Sequence, residues 1–437
     1  MTFTLIIMSI FIVLGLLMTR LLRYLKLPNV TAYLLAGLLV GPGIFVILHN
    51  SFGWFDVNLI DKYQTSVNSL SVITDIALGF IALSIGAEFK WGKIKHMGKK
   101  IIIITLLQAL VTTIVVDAIL ILLMKPLNIS LGLAITLGAI ATATAPAATL
   151  MVVRQYNASG PVVNTLLPVV AFDDAVGLMV FSLSFNIAKV YESGSSLTIL
   201  AVLVAPLLEI IISLLVGFLC GLLMTILCKF FKSRANTLGL MIGFAILCVA
   251  LSQIEFKIGS EIEFSLSSLL VCMMLGATYC NMRKDCDRYL QRVDEFTAPL
   301  FTLFFVISGA SIDLSILGQF SIVLVAIVYI IFRSLGKYSG AYLGSVIAKA
   351  EPNVKKYLGI TLLPQAGVAI GMANIAKASF GEDGAKIFTI ALCATFIYEL
   401  FGPVLTKIAL EKAGEIPTIP KVEIIVPQEQ TTQTNNN

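Results

Sequence analysis

The sequence predicts an all-α polytopic membrane protein with about thirteen transmembrane helices, each near the ~20 residues that a crossing needs. Three observations carry this. First, the 437 residues are 58% hydrophobic and only 13% charged, with a mean hydropathy of +0.96, whereas soluble domains carry about a quarter charged residues. Second, the apolar residues fall in runs long enough to span a bilayer. Third, the basic residues gather in alternate loops. The net charge of +5 reflects those loop lysines and arginines and points to no nucleic-acid partner.

The apolar runs cover residues 3–22, 30–48, 67–88, 101–124, 131–153, 161–190, 197–228, 236–254, 264–281, 297–317, 320–348, 355–377 and 385–410. Met1–Thr4 lacks the basic stretch of a signal peptide, so the first run is read as a span. Odd-numbered loops hold groups such as Arg20, Arg23 and Lys26, then Lys90 to Lys100, and later Arg283, Lys284, Arg288 and Arg292. Even-numbered loops hold only Lys62, Lys125, Lys189, Lys257, Lys377 and Lys386. The positive-inside rule then places the N-terminus outside and the C-terminus in the cytoplasm of a multi-pass protein of the cell membrane. Beyond Lys412 the polar tail reads as disordered.

Seven cysteines are expected to act as small buried hydrophobes, not as disulfide or metal partners. His49 and His96 both lie outside the apolar runs, which excludes a histidine metal site within the membrane. No cofactor is expected.

Asp173 and Asp174 stand side by side near the centre of the sixth run. A carboxylate at the bilayer midplane costs several kcal/mol. A proton, a metal cation or a buried lysine could each offset that cost. Lys337, in the eleventh run, falls at a matching depth when residues are counted at about 1.5 Å rise each. Opposite charges at one depth can compensate each other's desolvation.

Helix-breaking chemistry appears at the same depth. The fifth run reads Ala141-Thr142-Ala143-Thr144-Ala145-Pro146, and the twelfth reads Leu363-Pro364-Gln365-Ala366-Gly367. A lone proline is often only a packing kink. Two proline-broken spans in corresponding halves are a pointer to a transporter site. Runs five and six correspond to twelve and thirteen, an odd offset, so the two halves are read as inverted repeats. Arg333 lies four residues before Lys337, and a structural ion pair with Glu209 or Glu399 is favoured for it. Asp75 is ambiguous, either lining the path or serving a structural contact with a neighbouring helix.

These motifs resemble those of the electrogenic sodium/proton antiporters of the NhaA and NapA kind, within the cation:proton antiporter superfamily. Phe172-Asp173-Asp174-Ala175-Val176-Gly177 is similar to their two-aspartate motif. Arg333 to Gly340 resembles their lysine-bearing helix, Leu27-Pro28-Asn29-Val30 through Gly41-Pro42 an early helix, and Leu363 to Val368 a second broken helix. The resemblance implies crossed broken helices built on Thr142–Pro146 and Pro364–Gly367, including Gln365. It implies Asp174 as the main cation and proton ligand and Asp173 as the partner of Lys337 in the empty site. It also implies a homodimer. The division it suggests is scaffold helices at 1–98, a core half at 99–195, a linker helix at 196–235, scaffold helices at 236–318, a core half at 319–411 and a tail at 412–437. One departure is that threonines stand in the first break where some relatives carry an acid.

The function expected is secondary active exchange of sodium for protons, and no enzymatic reaction. Asp173 and Asp174, with the hydroxyls of Thr142 and Thr144, would supply the oxygen donors that a hard cation such as sodium wants. A potassium/proton antiporter would use the same residues, and a sodium-coupled solute symporter of related fold would need a larger cavity.

Overall fold

The computed structural model describes residues 2–417 other than 23, 25–28, 53–55, 93–97, 146–148, 150–151, 154–155, 193–204, 232, 259–261, 284, 313 and 315–317. The first helices are α1 (Thr2–Leu22), α2 (Asn29–Val40), α3 (Pro42–Phe52), α4 (Val57–Asn68) and α5 (Ser71–Glu88). Next come α6 (Lys99–Leu122), α7 (Met124–Leu127), α8 (Leu131–Ile140), α9 (Pro161–Glu192), α10 (Ala205–Phe230) and α11 (Arg234–Ser252). After a short hairpin follow α12 (Ser268–Met282), α13 (Cys286–Ala310), α14 (Phe320–Ile347), α15 (Pro352–Thr361), α16 (Gly367–Ser379) and α17 (Gly381–Lys412).

Among the described residues, ten helical stretches are long and apolar enough to cross a membrane. Three expected runs fall short of that length for visible reasons. Residues 131–153 and 355–377 are interrupted by non-helical backbone at Ala141–Ala145 and Leu362–Ala366. Residues 264–281 lose their first turn to the hairpin, leaving the 15-residue α12. The outward faces of the long helices carry exposed Leu16, Ile114, Leu122, Ile211, Leu219, Leu335 and Phe401, as a surface solvated by lipid would.

The helical class holds, with one small antiparallel hairpin added. It pairs β1 (Glu255–Ile258) with β2 (Ile262–Ser265), setting Glu255 opposite Ser265 and Ile258 opposite Ile262. The sequence alternates polar and apolar residues there, which suits a strand's period of two. Two expectations need correction. Cys280 and Cys286 form a disulfide, contrary to the expectation of inert thiols. The tail, moreover, does not loosen at Lys412. Asn353 donates from Nδ2 to the Ala413 carbonyl at 3.1 Å, and Glu415 is buried. Its two carboxylate oxygens accept from the Val162 and Val163 amides at 2.7 and 2.9 Å, capping α9 in the manner of an acidic residue at a helix N-terminus. The rest of the expected disordered tail, 418–437, lies outside the described residues.

Helices α6 and α14 pack closely because small residues repeat every fourth position on α14. A Cβ at Gly340 would lie 2.7 Å from the Gln108 Cα, and Cβ atoms at Gly336 and Gly344 would meet the backbone of Thr112 and Ile104. Within a membrane, where apolar surface gives little drive for association, close backbone approach is what holds helices together. This stripe sets Lys337 against Gln108.

Candidate ion-binding site

The two breaks meet. The Ala145 amide donates to the Pro364 carbonyl at 2.8 Å, and the Thr149 hydroxyl reaches the Thr361 carbonyl at 3.3 Å. Gly402 on α17 makes room for the Pro364 ring, since a Cβ there would sit 2.8 Å from its Cγ. Gly367 opens α16. Pro146 lies outside the described residues.

Breaking a helix frees carbonyls that lipid cannot satisfy. Arg333 satisfies three of them. Its Nε donates to Ala141 O at 3.0 Å, Nη2 to Ala143 O at 2.7 Å and Nη1 to Leu363 O at 2.8 Å. The guanidinium also lies 4.3 Å from the centroid of the Tyr398 ring. Gln365 joins the same seam, donating to Ile140 O at 3.0 Å and Tyr329 Oη at 3.1 Å.

The expected ion pairs of Arg333 are thereby corrected. Among the described residues it bonds carbonyls of both breaks, not Glu209 or Glu399. Glu209 instead accepts from the Asn186 amide at 2.7 Å. Glu399 is buried beside Tyr398 in sequence, and Asp75 is half-buried on α5; neither takes part in an ion pair among the described residues. The physical reason is geometric: a planar fork of donors suits several carbonyls at once.

One turn further along α14, Lys337 is fully buried and its Nζ lies 2.8 Å from Asp173 Oδ2. The same Nζ donates to Gln108 Oε1 and Thr144 Oγ1, each at 2.8 Å, and to the Thr142 carbonyl. Asp173 also accepts from Gln108 Nε2 and the Thr144 hydroxyl. The Thr142 hydroxyl turns back to Ala139 O at 2.7 Å, so this residue offers the cluster its carbonyl, not the expected hydroxyl.

Asp174 differs. It is 2% exposed, and its Oδ1 has no hydrogen-bond partner among the described residues. Such an atom is costly in a buried setting and invites a proton or a cation. Among the described residues no set of three His, Cys, Asp or Glu side chains gathers as a metal cage; the oxygens at hand are carboxylates, a hydroxyl and freed carbonyls.

The structure thus brings Asp173, Asp174, Thr142, Thr144, Lys337, Arg333, Pro364 and Gln365 to one place and leaves Glu209 with a separate partner. An inventory of charges misses Gln108. Its signal is a lone amide in an apolar run, flanked at helical spacing by Thr105 and Thr112.

Comparison with known proteins follows the same lines. The family model described as "Sodium/hydrogen exchanger, transmembrane" matches residues 7–412. A structure of the sodium proton antiporter MjNhaP1 from Methanocaldococcus jannaschii at pH 8 is similar with a TM-score of 0.72 at 19% identity, over 94% of this chain and 98% of that one. An electron-microscopy map of MjNhaP1 from the same organism gives 0.69 at 19% identity, over 96% and 100%. At such identity the likeness is one of fold. No curated protein matches in sequence.

Proposed function

Because the chain belongs to the sodium/hydrogen exchanger family, we propose that it exchanges sodium for protons by alternating access, with Asp174 as the shared ligand. The observation that carries this is an Asp174 Oδ1 without a partner among the described residues, next to an Asp173 whose oxygens are all engaged. Sodium and protons compete for one carboxylate, so their fluxes are coupled without a separate gate. Asp173 and the oxygens of Thr142 and Thr144 lie close enough to complete a shell for a hard cation.

With the site empty, Lys337 balances Asp173. An arriving cation would displace that contact and let Lys337 release its proton, while Asp174 releases another. Two protons per sodium moves one net charge, on which the membrane potential acts with about 2.3 kcal/mol per 100 mV. This electrogenic reading, in the manner of the NapA and NhaA branch, is supported by the Lys337–Asp173 pair. The core halves at 99–195 and 319–411 would rock against the scaffold helices of a homodimer. The thirteen-span count, the inverted repeats and a cytoplasmic C-terminus belong to this same proposal and are supported by the alternation of loop charge.

The test is transport by Asp174→Asn in proteoliposomes. Loss of proton-coupled sodium movement in a protein that still folds is expected. Retained exchange would remove Asp174 from the centre of the mechanism.

A further inference from the structure

Helix α12 ends at Met282, and α13 begins at Cys286. The disulfide between Cys280 and Cys286 closes this turn, with both cysteines buried. Inside the closed loop Arg283 grips Asp285 through two hydrogen bonds, Nε to Oδ1 at 2.8 Å and Nη2 to Oδ2 at 2.6 Å. That grip holds the Asp285 carboxyl below the usual carboxylate range, so the pair stays charged through neutral pH.

The next residue after Cys280 bonds the segment that follows α5. Asn281 Nδ2 donates to the Phe89 carbonyl at 2.6 Å and to Ala277 O at 2.7 Å, and its Oδ1 accepts from the Trp91 amide at 2.5 Å. One side-chain amide therefore clamps the backbone on both sides of Lys90, just beyond the end of α5. The Phe89 ring meets the Phe172 ring edge-on, centroids 4.6 Å apart. Phe172 directly precedes Asp173 on α9. A covalent bond in one turn is thus joined, through one amide and two rings, to the helix that carries the carboxylates.

We infer that Cys280 and Cys286 form a thiol–disulfide switch that governs exchange by fixing Asn281 on Phe89 and so holding Phe89 against Phe172. This rests on the orientation proposed above, which puts the turn and the first turns of α13, with Arg283, Arg288 and Arg292, on the cytoplasmic side. Disulfides there are uncommon in mesophiles and, when present, are usually catalytic or redox-sensing. The chemistry is exchange with a dithiol. A thiolate of the dithiol attacks one cysteine sulfur, and its second thiol displaces the mixed disulfide. The dithiol leaves oxidised by two electrons, and Cys280 and Cys286 each gain one electron and one proton. Burial of both sulfurs makes the attack slow, which suits a state that persists over many transport cycles.

In the oxidised state the clamp holds α5 to α9 and exchange is slow. Reduction frees the turn, and the contact between the rings can part as the helices slide. The full-length protein in proteoliposomes, treated with diamide or with dithiothreitol, tests this. Maleimide mass-tagging in denaturant reports how many thiols are free. Dithiothreitol should raise the rate several-fold, up to about tenfold, the span that an aromatic contact converts to. Cys280→Ser and Cys286→Ser should both show the reduced rate under either treatment. Asn281→Ala, which keeps the disulfide, should also lose the response. Equal rates for oxidised and reduced protein, or tagging that finds both thiols free after diamide, would overturn the switch. Exchange absent under every treatment would instead count against the antiport reading, and protease access to the tail in the same vesicles reports the orientation separately.

Discussion

Lys337 and Asp173, on different helices, form an ion pair 2.8 Å long from which solvent is excluded at both ends. Three more acceptors share the lysine, two of them drawn from the first helix break. An isolated pair so deep would be a liability. This one sits within a polar seam in which Gln108, Thr142 and Thr144 bond the lysine or the carboxylate, and those bonds are what let the two charges persist.

Lys337→Ala leaves Asp173 without its counter-charge. Removing one partner of a buried pair typically costs roughly 3–5 kcal/mol. We expect lower thermal stability in detergent and, in proteoliposomes, a weaker response of exchange to an imposed voltage. Unchanged voltage dependence would reduce the lysine to a structural counter-ion.

Arg333→Lys tests the carbonyl fork. A lysine keeps the charge but cannot place three donors on Ala141, Ala143 and Leu363. Each charged hydrogen bond lost is worth about 1.5–3 kcal/mol, so marked destabilisation is expected in thermal unfolding. Glu399→Gln should leave Arg333 in place and change stability little. Equal damage from both variants would restore the ion-pair reading.

Gly340→Leu drives a side chain into the Gln108 backbone. Overpacking of this kind costs about 1–3 kcal/mol. The more telling readout is exchange, because separating α6 from α14 pulls Lys337 off Gln108. We expect transport to fall further than stability does; a fully active variant would show that the close packing is dispensable.

The proposed competition of sodium and protons for Asp174 fixes the sign of the pH dependence. Acid favours the protonated site, so the apparent KM for sodium should rise as pH falls. In the acid range the rise approaches about tenfold per pH unit for each competing proton, the ordinary mass-action limit. An apparent KM indifferent to pH, measured by solid-supported-membrane currents, would argue for separate sites.

Glu415→Ala removes the cap from α9. Loss of such a cap costs about 0.5–2 kcal/mol. Truncation after Lys412 should leave the protein less stable, by at least as much, than truncation after Pro417, which keeps Glu415. Identical melting of both truncated forms and the full chain would mean that the cap contributes nothing.

Much of the site is legible in the sequence, and for one reason. Charge inside an apolar run is so costly that Asp173, Asp174 and Lys337 announce themselves. Pro364 marks one of the breaks. What escapes a sequence reading is set by partners distant along the chain. The acceptors of Arg333 are main-chain carbonyls from two other segments, which carry no residue signature. Gln108 is neutral, so a survey of charges passes over it, though it touches both members of the ion pair. The Thr142 side chain reads as a ligand because hydroxyls bind cations; local helix geometry turns it inward and presents its carbonyl instead. Cys280 and Cys286 have no recognised spacing, and only the turn between two helices brings them together.

Arg333 acts as a rivet through both interrupted spans. Because one guanidinium is fastened to Ala141, Ala143 and Leu363 together, neither interruption can shift far without dragging the other and α14 along. Any stroke that carries cargo across must then move this trio as a single piece, and substitutions in one interruption will be felt in the other.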